Sequence, residues 1–238
     1  MLLDELDIQW QPNGEQSLSL ILHATKNTQN CQLIPVLTQY LAKNLREKID
    51  VSVDIIPCQD SITLYSTDYQ HVLLMKQQLE LILYELTASD LTETLESQSQ
   101  THDIAICYDD RLATDLSEVA TQLSLSKDEI IERHVNAAYR LDMLGFLPGF
   151  FYLSGLDMEL SLSRKATPSI SVPRGSVAIA ESMSGIYSLA SPGGWWVIGR
   201  TPDRLFDVNQ EPPVSISPLD TIRFRPIDYE EFMETNHD

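Results

Sequence analysis

A chain of 238 residues, 43% hydrophobic and 21% charged, is long enough to bury one large or two modest cores without covalent staples. Its formal net charge of −19 gives a surface that repels phosphate backbones and anionic lipid heads, so no nucleic acid and no membrane partner is expected. Cys31, Cys58 and Cys107 are odd in number and far apart, which frames neither a disulfide scaffold nor a zinc site; MLLDELDIQW has no basic, apolar leader pattern and no segment nears the ~20 apolar residues of a membrane span, so a cytoplasmic setting is expected.

Gln16 to His23 starts as an alternation and turns continuously apolar, the pattern of a strand entering a core. From Cys31 to Ile49 apolar residues recur at three- and four-residue steps through Leu33, Leu37, Leu41 and Leu45, which predicts a helix with one buried face and Pro35 near its first turn. Val51, Val53 and Ile55 alternate with polar residues, and Ile62 and Leu64 follow a turn, which predicts a hairpin. A second helix is predicted from Tyr69 to Leu86, with its stripe at Val72, Met75, Leu79, Ile82 and Leu86. Over residues 1–100 these elements amount to a two-layer α/β sandwich, helices on one face of an antiparallel sheet. Thr87 to His102 is polar, acidic and poor in large apolar residues, and reads as an exposed connection at the end of that domain.

Residues 101–238 carry a different pattern. A strand from Asp103 to Tyr108 precedes two short helices, the second opened by a capping box from Ser126 to Glu129. From about Arg140 onward, Pro-Gly, Gly-Gly and Pro-Pro pairs punctuate short apolar runs at spacings of about 8–12 residues, which predicts a closed β-barrel and an α+β fold class. GxxxxGK[ST], HExxH and GxSxG are all missing from the sequence, so P-loop, zincin and serine-hydrolase chemistry have no motif to rest on.

Several residues of this second domain are candidates for a site. Gly149, Gly193 and Gly194 either let backbone N–H groups approach a ligand oxygen or make tight barrel turns. Phe146, Phe150 and Tyr152, which share a period-two face, wall a pocket or form one face of a core strand. Trp195 and Trp196 point to opposite faces of a strand, so one of them at most lines a cleft. Arg164, Arg174 and Arg200 carry guanidiniums able to clamp a carboxylate or phosphate, with surface ion pairs as the alternative. His134 follows Ile130 and Ile131 on the apolar stripe of its helix, a place for a hydrogen-bonded structural imidazole or for a proton-transfer group.

The order of whole phrases adds to this reading. DLSEVA from Asp115, HVNAAY with His134 and Tyr139, GFLPGFFYLSGL from Gly145, VPRGSV from Val172, GIY ending at Tyr187, SPGGWWVIGRTP from Ser191, LFD from Leu205 and IRFRPI from Ile222 follow one another between Asp103 and Ile227. In that order they resemble the B subunit family of bacterial ATP-dependent 5-oxoprolinase, shared with allophanate hydrolase subunit 1 and a sporulation-kinase inhibitor. The resemblance implies a cyclophilin-like barrel over residues 101–238. It also implies a hetero-oligomer with a C subunit, similar to allophanate hydrolase subunit 2, and an A subunit. That complex opens the lactam of 5-oxo-L-proline to L-glutamate with ATP, and Mg2+, shared with the partner chains. The chain would be inactive alone and would hold no metal of its own. His134, Arg164 and Arg200 are then the expected catalytic residues. Phe146, Gly149, Phe150, Tyr152, Arg174, Tyr187, Gly193, Gly194 and Trp195 are the expected substrate-binding residues. The alternatives are a urea-carboxylase type of acyl or carboxyl transfer and a non-catalytic inhibitor of a histidine kinase.

ATP has a chemical reason in such a reaction: an unstrained lactam is a poor electrophile with a poor leaving group, and phosphorylation of its oxygen makes water attack feasible. Four departures from the family pattern stand out: Ala113-Thr114 in place of Gly-Pro, Ser163-Arg164 in place of a first Pro-Arg, Pro168-Ser169 in place of a second, and Glu181 where glycine is expected. Losing an arginine and gaining a carboxylate weakens anion binding if both positions face the cleft. An exposed apolar patch for a partner is expected on the barrel or along Pro212 to Leu219.

Overall fold

The computed structural model describes residues 7–23, 30–48, 54–58 and 60–235, and the chain divides into two compact units, Met1–Ser99 and Gln100–Asp238. In the first, strands β1 (Asp7–Pro12) and β2 (Ser17–His23) form a hairpin followed by helix α1 (Asn30–Lys48). Strands β3 (Asp54–Pro57) and β4 (Ser61–Tyr65) make a second hairpin, and helices α2 (Tyr69–Glu85) and α3 (Ala88–Gln98) complete the unit. The sheet is antiparallel in the order β1-β2-β4-β3. Leu18, Leu20 and Leu22 of β2 and Ile62 and Leu64 of β4 join Leu37, Leu41 and Leu45 of α1 and Val72, Met75 and Leu79 of α2 in one buried cluster. The three-and-four spacing that predicts the helices is thus the face they bury.

Three expectations for this unit change. β1, unrecognised in the sequence, pairs with β2 along its whole length. Pro35 lies in the second turn of α1, where its missing N–H removes a helical bond. The connection expected from Thr87 to His102 is a helix followed by the start of a strand. Asp90 accepts from both the Thr87 backbone N–H and hydroxyl, which starts α3, while Leu91 packs on the core and Thr94 is buried. A helix needs only a narrow inward stripe, and so polar a segment hides one. Of the hairpin's expected apolar residues, Val51 and Val53 lie outside the described residues.

The second unit begins with β5 (Thr101–Cys107), α4 (Leu116–Leu123) and α5 (Lys127–Asn136). Ser126 and Glu129 form the expected capping box. Then come β6 (Tyr139–Leu144), β7 (Phe151–Ser154), a 3-10 turn at Met158–Leu160, β8 (Ser169–Val172), β9 (Ser176–Ala180) and β10 (Met183–Ile186). The chain continues with β11 (Ser191–Gly193), β12 (Trp196–Arg200), β13 (Thr221–Ile227) and a closing helix α6 (Tyr229–Thr235), unexpected in a region read as strands and turns. Seven strands close a barrel in the order β10-β7-β6-β13-β5-β12-β9, and β8 and β11 form a separate pair. β5 and β13 run parallel; the other barrel neighbours are antiparallel.

Alternation along these strands separates two clusters. Ile104, Leu141, Phe151, Leu153, Val177, Ile179, Trp196, Ile198 and Phe224 meet in the barrel core, joined by Leu116, Val119 and Ile130 of the two helices. Phe150, Ala178, Ala180, Trp195 and Val197 face the other way and meet Val172 of β8 and Tyr187. The Pro212 to Leu219 segment offers no apolar patch, because Ile216 and Leu219 are buried and Val214 packs on the barrel core.

Candidate functional site

The outward cluster is hollow. A cavity of about 310 Å³ is lined by Phe146, Phe150, Tyr152, Arg164, Lys165, Pro168, Tyr187, Pro192, Gly193, Gly194 and Trp195. Phe150 stands edge-on to Tyr187 at 5.0 Å and to Trp195 at 5.7 Å, and lies tilted against Tyr152 at 4.8 Å, arrangements favoured by ring quadrupoles. Two glycines make room for these rings. A Cβ on Gly185 would stand 2.8 Å from the Trp195 ring and 2.9 Å from that of Phe150, and one on Gly193 would meet the Tyr187 hydroxyl at 2.2 Å. Phe146 sits at the rim, 61% exposed, edge-on to Phe150, with its backbone left-handed at φ 62°. Such strain in a bulky residue persists only where surroundings hold it, and it clusters at ligand sites.

Both phenols of the wall stay protonated at neutral pH. Burial pushes Tyr187 up to about 12, against an opposing hydrogen bond from the Trp195 backbone N–H, and burial also raises Tyr152, opposed by the Arg164 guanidinium. Each phenol is therefore a neutral donor or acceptor beside a cation.

That cation is carried on a strap whose backbone is pinned at successive points. Leu162 accepts from the Glu181 N–H, the Ser163 carbonyl accepts from the Trp196 indole at 2.7 Å, and the Lys165 N–H donates to the Gly194 carbonyl at 2.8 Å. Arg164 Nε lies 3.5 Å from Glu181 Oε1. Lys165 Nζ lies 2.5 Å from Asp115 Oδ2, 3.1 Å from the Ser169 hydroxyl and over the Trp196 ring. Asp115 also accepts from the Val197 N–H at 2.7 Å, tying the start of α4 to β12. Behind the strap a second, more polar cavity of about 550 Å³, lined by Glu118, Gln122, Ser163, Thr167 and Ser169 among others, shares Arg164 and Lys165 with the first.

The structure thus gathers Phe146, Phe150, Tyr152, Arg164, Tyr187, Gly193, Gly194 and Trp195 around one cavity, and places Trp196 between the barrel core and the polar cavity. Four other candidates line neither this cavity nor the polar one behind it. Gly149, at φ 72°, has the Phe206 side chain 2.9 Å from where its Cβ would stand, so it is a turn glycine under an aromatic ring. Arg200 donates from Nε to the Arg174 carbonyl at 2.7 Å and lies over the Phe232 ring, and Arg174 reaches the Asp203 carbonyl at 3.5 Å. His134 is fully buried and stacked on Phe224 at 4.8 Å. Its Nδ1 is 2.8 Å from the Tyr108 hydroxyl and its Nε2 is 3.0 Å from the Ser184 hydroxyl, which donates on to the Ala178 carbonyl. One tautomer satisfies the whole row: Tyr108 donates to Nδ1 and Nε2–H donates to Ser184. Burial holds this imidazole down at about 3, so it is neutral.

Lys165 and its partner Asp115 are not among the residues that the sequence nominates. Their signal is adjacency: Arg164 and Lys165 are consecutive cations in a strongly acidic chain. Which one is held by a largely shielded carboxylate is fixed only by the fold.

Among the described residues no helix is long and apolar enough to cross a membrane. Residues 8–216 match the family described as carboxyltransferase domain, subdomain C and D. The B subunit of 5-oxoprolinase from Haemophilus influenzae is 35% identical over 183 residues, 77% of this chain and 83% of that protein. The B subunit of the Bacillus subtilis 5-oxoprolinase is 37% identical over 152 residues, and the match spans 63% of each chain. Among solved structures, that of TTHA0988 superimposes with a TM-score of 0.71 at 28% identity, covering 90% of this chain and 40% of its own.

Proposed function

We propose that this chain, which belongs to the carboxyltransferase domain subdomain C and D family, is the B subunit of a 5-oxoprolinase and helps open the lactam of 5-oxo-L-proline to L-glutamate in a complex with the A and C subunits. The observation that carries the reading is the aromatic cavity with Arg164 and Lys165 on its wall, in a chain whose curated relatives bear that B subunit's name. Its volume is at the small end of ligand pockets, which range over roughly 300–1,000 Å³, and suits a five-membered ring. Phe150, Tyr187 and Trp195 hold the ring by its faces and edges, and the phenols of Tyr152 and Tyr187 offer hydrogen bonds to amide oxygen or nitrogen.

ATP supplies that activation by phosphorylating the amide oxygen. The aromatic cavity does not fit a triphosphate: its lining is mainly aromatic and apolar, and of the two cations that face the triphosphate's charge Lys165 is already held by Asp115. The nucleotide, with any Mg2+, belongs with the partner chains, and the protein is inactive alone. The same reading makes the C-terminal barrel cyclophilin-like and the N-terminal unit a two-layer sandwich, supported by the closed barrel order and by the single core shared by α1, α2, β2 and β4. It also places the chain in the cytoplasm, consistent with the free thiols of Cys58 and Cys107.

The test is ATP-dependent glutamate release from 5-oxoproline by the chain alone and mixed with matching A and C subunits. Turnover is expected only in the mixture, and is lost in Gly194→Val while the variant's thermal melt is retained. A stable three-chain complex with no turnover overturns the reading.

A further inference from the structure

Resting on the 5-oxoprolinase reading, we infer that Arg164 is the residue that takes the carboxylate of the substrate, and that Glu181 is a built-in competitor that sets how tightly that carboxylate is held. 5-Oxoproline is a small amide ring bearing one carboxylate. The aromatic walls account for the ring and carry no charge, so the carboxylate must meet one of the two cations on the strap.

Lys165 is committed. Its side chain is 11% exposed and that of Asp115 14%; Nζ also holds the Ser169 hydroxyl, and Asp115 holds the Val197 N–H. Drawing the ammonium away would leave the largely shielded Asp115 carboxylate without its cation, at more cost than opening an exposed pair. Arg164 and Glu181 are 60% and 64% exposed and meet at a single 3.5 Å approach. An exposed pair of this kind contributes little and opens at little cost. A guanidinium also offers a planar fork that matches a carboxylate with two hydrogen bonds.

Position favours the same residue. Ser163 and Lys165, on either side of Arg164, are pinned through Trp196 and Gly194, so the guanidinium is delivered to the cavity wall by a fixed backbone. Its charge acts on both phenols of that wall. Glu181 is fixed too: it stands in the β9–β10 turn, hydrogen-bonded to Leu162, with a left-handed backbone at φ 55°. Its backbone therefore keeps the carboxylate within reach of Arg164, where it competes with the incoming one. Because the pair is exposed, that competition is bounded at about two- to fivefold in affinity.

The experiment is calorimetric titration of the full chain, and of its complex with the A and C subunits, with 5-oxo-L-proline and with 2-pyrrolidinone, the same ring without the carboxylate. Wild type is expected to prefer 5-oxo-L-proline. E181Q tightens 5-oxo-L-proline by about two- to fivefold and leaves 2-pyrrolidinone unchanged. R164Q weakens 5-oxo-L-proline by about tenfold or more and erases the preference, and R164Q/E181Q binds no better than R164Q. Where the complex turns over, the same changes appear in KM. Undiminished binding of 5-oxo-L-proline by R164Q, a gain from E181Q that survives in the double variant, or no binding of either ring overturns the assignment. Turnover by a complex containing R164Q with unchanged KM sinks the assignment and spares the enzymatic reading. A carboxylate preference lost in R164Q, in a complex that never turns over, does the reverse.

Discussion

The two faces of the barrel wall are written in nearly the same letters and do opposite work. Phe151, Leu153, Trp196 and Ile198 point one way into a core closed by Leu116, Val119 and Ile130; Phe150, Trp195 and Val197 point the other way, beside Tyr152, toward a roof made of the strap and the β8–β11 pair. One side is solid and the other keeps a cavity of about 310 Å³. Period-two spacing fixes which way a ring faces and leaves open whether what meets it fills the space. The titratable groups divide along the same line. His134 sits in the solid face with both nitrogens engaged and its charge suppressed, whereas Arg164 sits at the hollow face with an exposed partner.

If that division is right, the largest effect comes from the solid face. His134→Leu leaves the Tyr108 hydroxyl buried without its partner and unstacks Phe224, so a loss of about 2–4 kcal/mol in urea unfolding is expected. Substrate binding by the folded fraction stays as in wild type. A ring affinity that falls while stability holds would show that His134 belongs to the site after all.

The same imidazole gives the protein a pH dependence with a definite sign. Its folded pKa, about 3, lies below the unfolded value of about 6.5, so between the two the unfolded chain binds a proton that the folded chain refuses. Stability from this group is complete above about pH 6.5 and falls as pH drops toward 3, at about 1.4 kcal/mol per pH unit, or about 2 kcal/mol by pH 5. The difference between wild type and His134→Leu in chemical denaturation should shrink by that amount from pH 7.5 to pH 5. A gap that does not change with pH means the imidazole takes up a proton as readily in the fold as in the unfolded chain.

Neighbouring glycines sharpen the contrast within the hollow face. Gly193→Ala puts a methyl group 2.2 Å from the Tyr187 hydroxyl, whereas Gly194→Ala meets nothing nearer than 3.8 Å. The first should cost about 1–3 kcal/mol and displace Tyr187 from the cavity wall; the second should melt within about 0.5 kcal/mol of wild type. Thermal melts with and without 5-oxo-L-proline read both effects. Equal losses in the two variants would mean that the wall is soft and the cavity is not preformed.

How much of this was legible depends on what each signal measures. The helices α1 and α2 and the alternation of β2 were visible because burial has a period. The barrel was visible because Gly and Pro mark its turns. α3 was hidden because its inward stripe is carried by Leu91 and Thr94, and β1 because Asp7–Pro12 mixes apolar and polar residues at an edge. Around the cavity, residue type was enough to nominate the aromatic rings and Arg164. Sequence could not separate Arg164 from Arg200, since one faces the cavity and the other holds the Arg174 carbonyl. Nor could it find Lys165, whose place is set by Asp115, fifty residues earlier in the chain.

The smallest effect bears on Glu181, the one acidic residue at the hollow face whose backbone argues against it. At φ 55° a side chain in the left-handed region costs roughly 1–2 kcal/mol, and asparagine tolerates that region better than glutamate. Glu181→Asn relieves part of this strain and deletes an exposed ion pair worth about 0–1 kcal/mol. The two terms oppose each other in dilute buffer. At 1 M salt, where the screening length is about 3 Å, the pair contributes almost nothing and the strain term stands alone. The variant should then unfold at a higher urea concentration than wild type, by less than about 1 kcal/mol. A variant less stable than wild type at 1 M salt would mean that Glu181 makes a contact in this turn beyond Arg164, and the competition assigned to it would have to be shared with that contact.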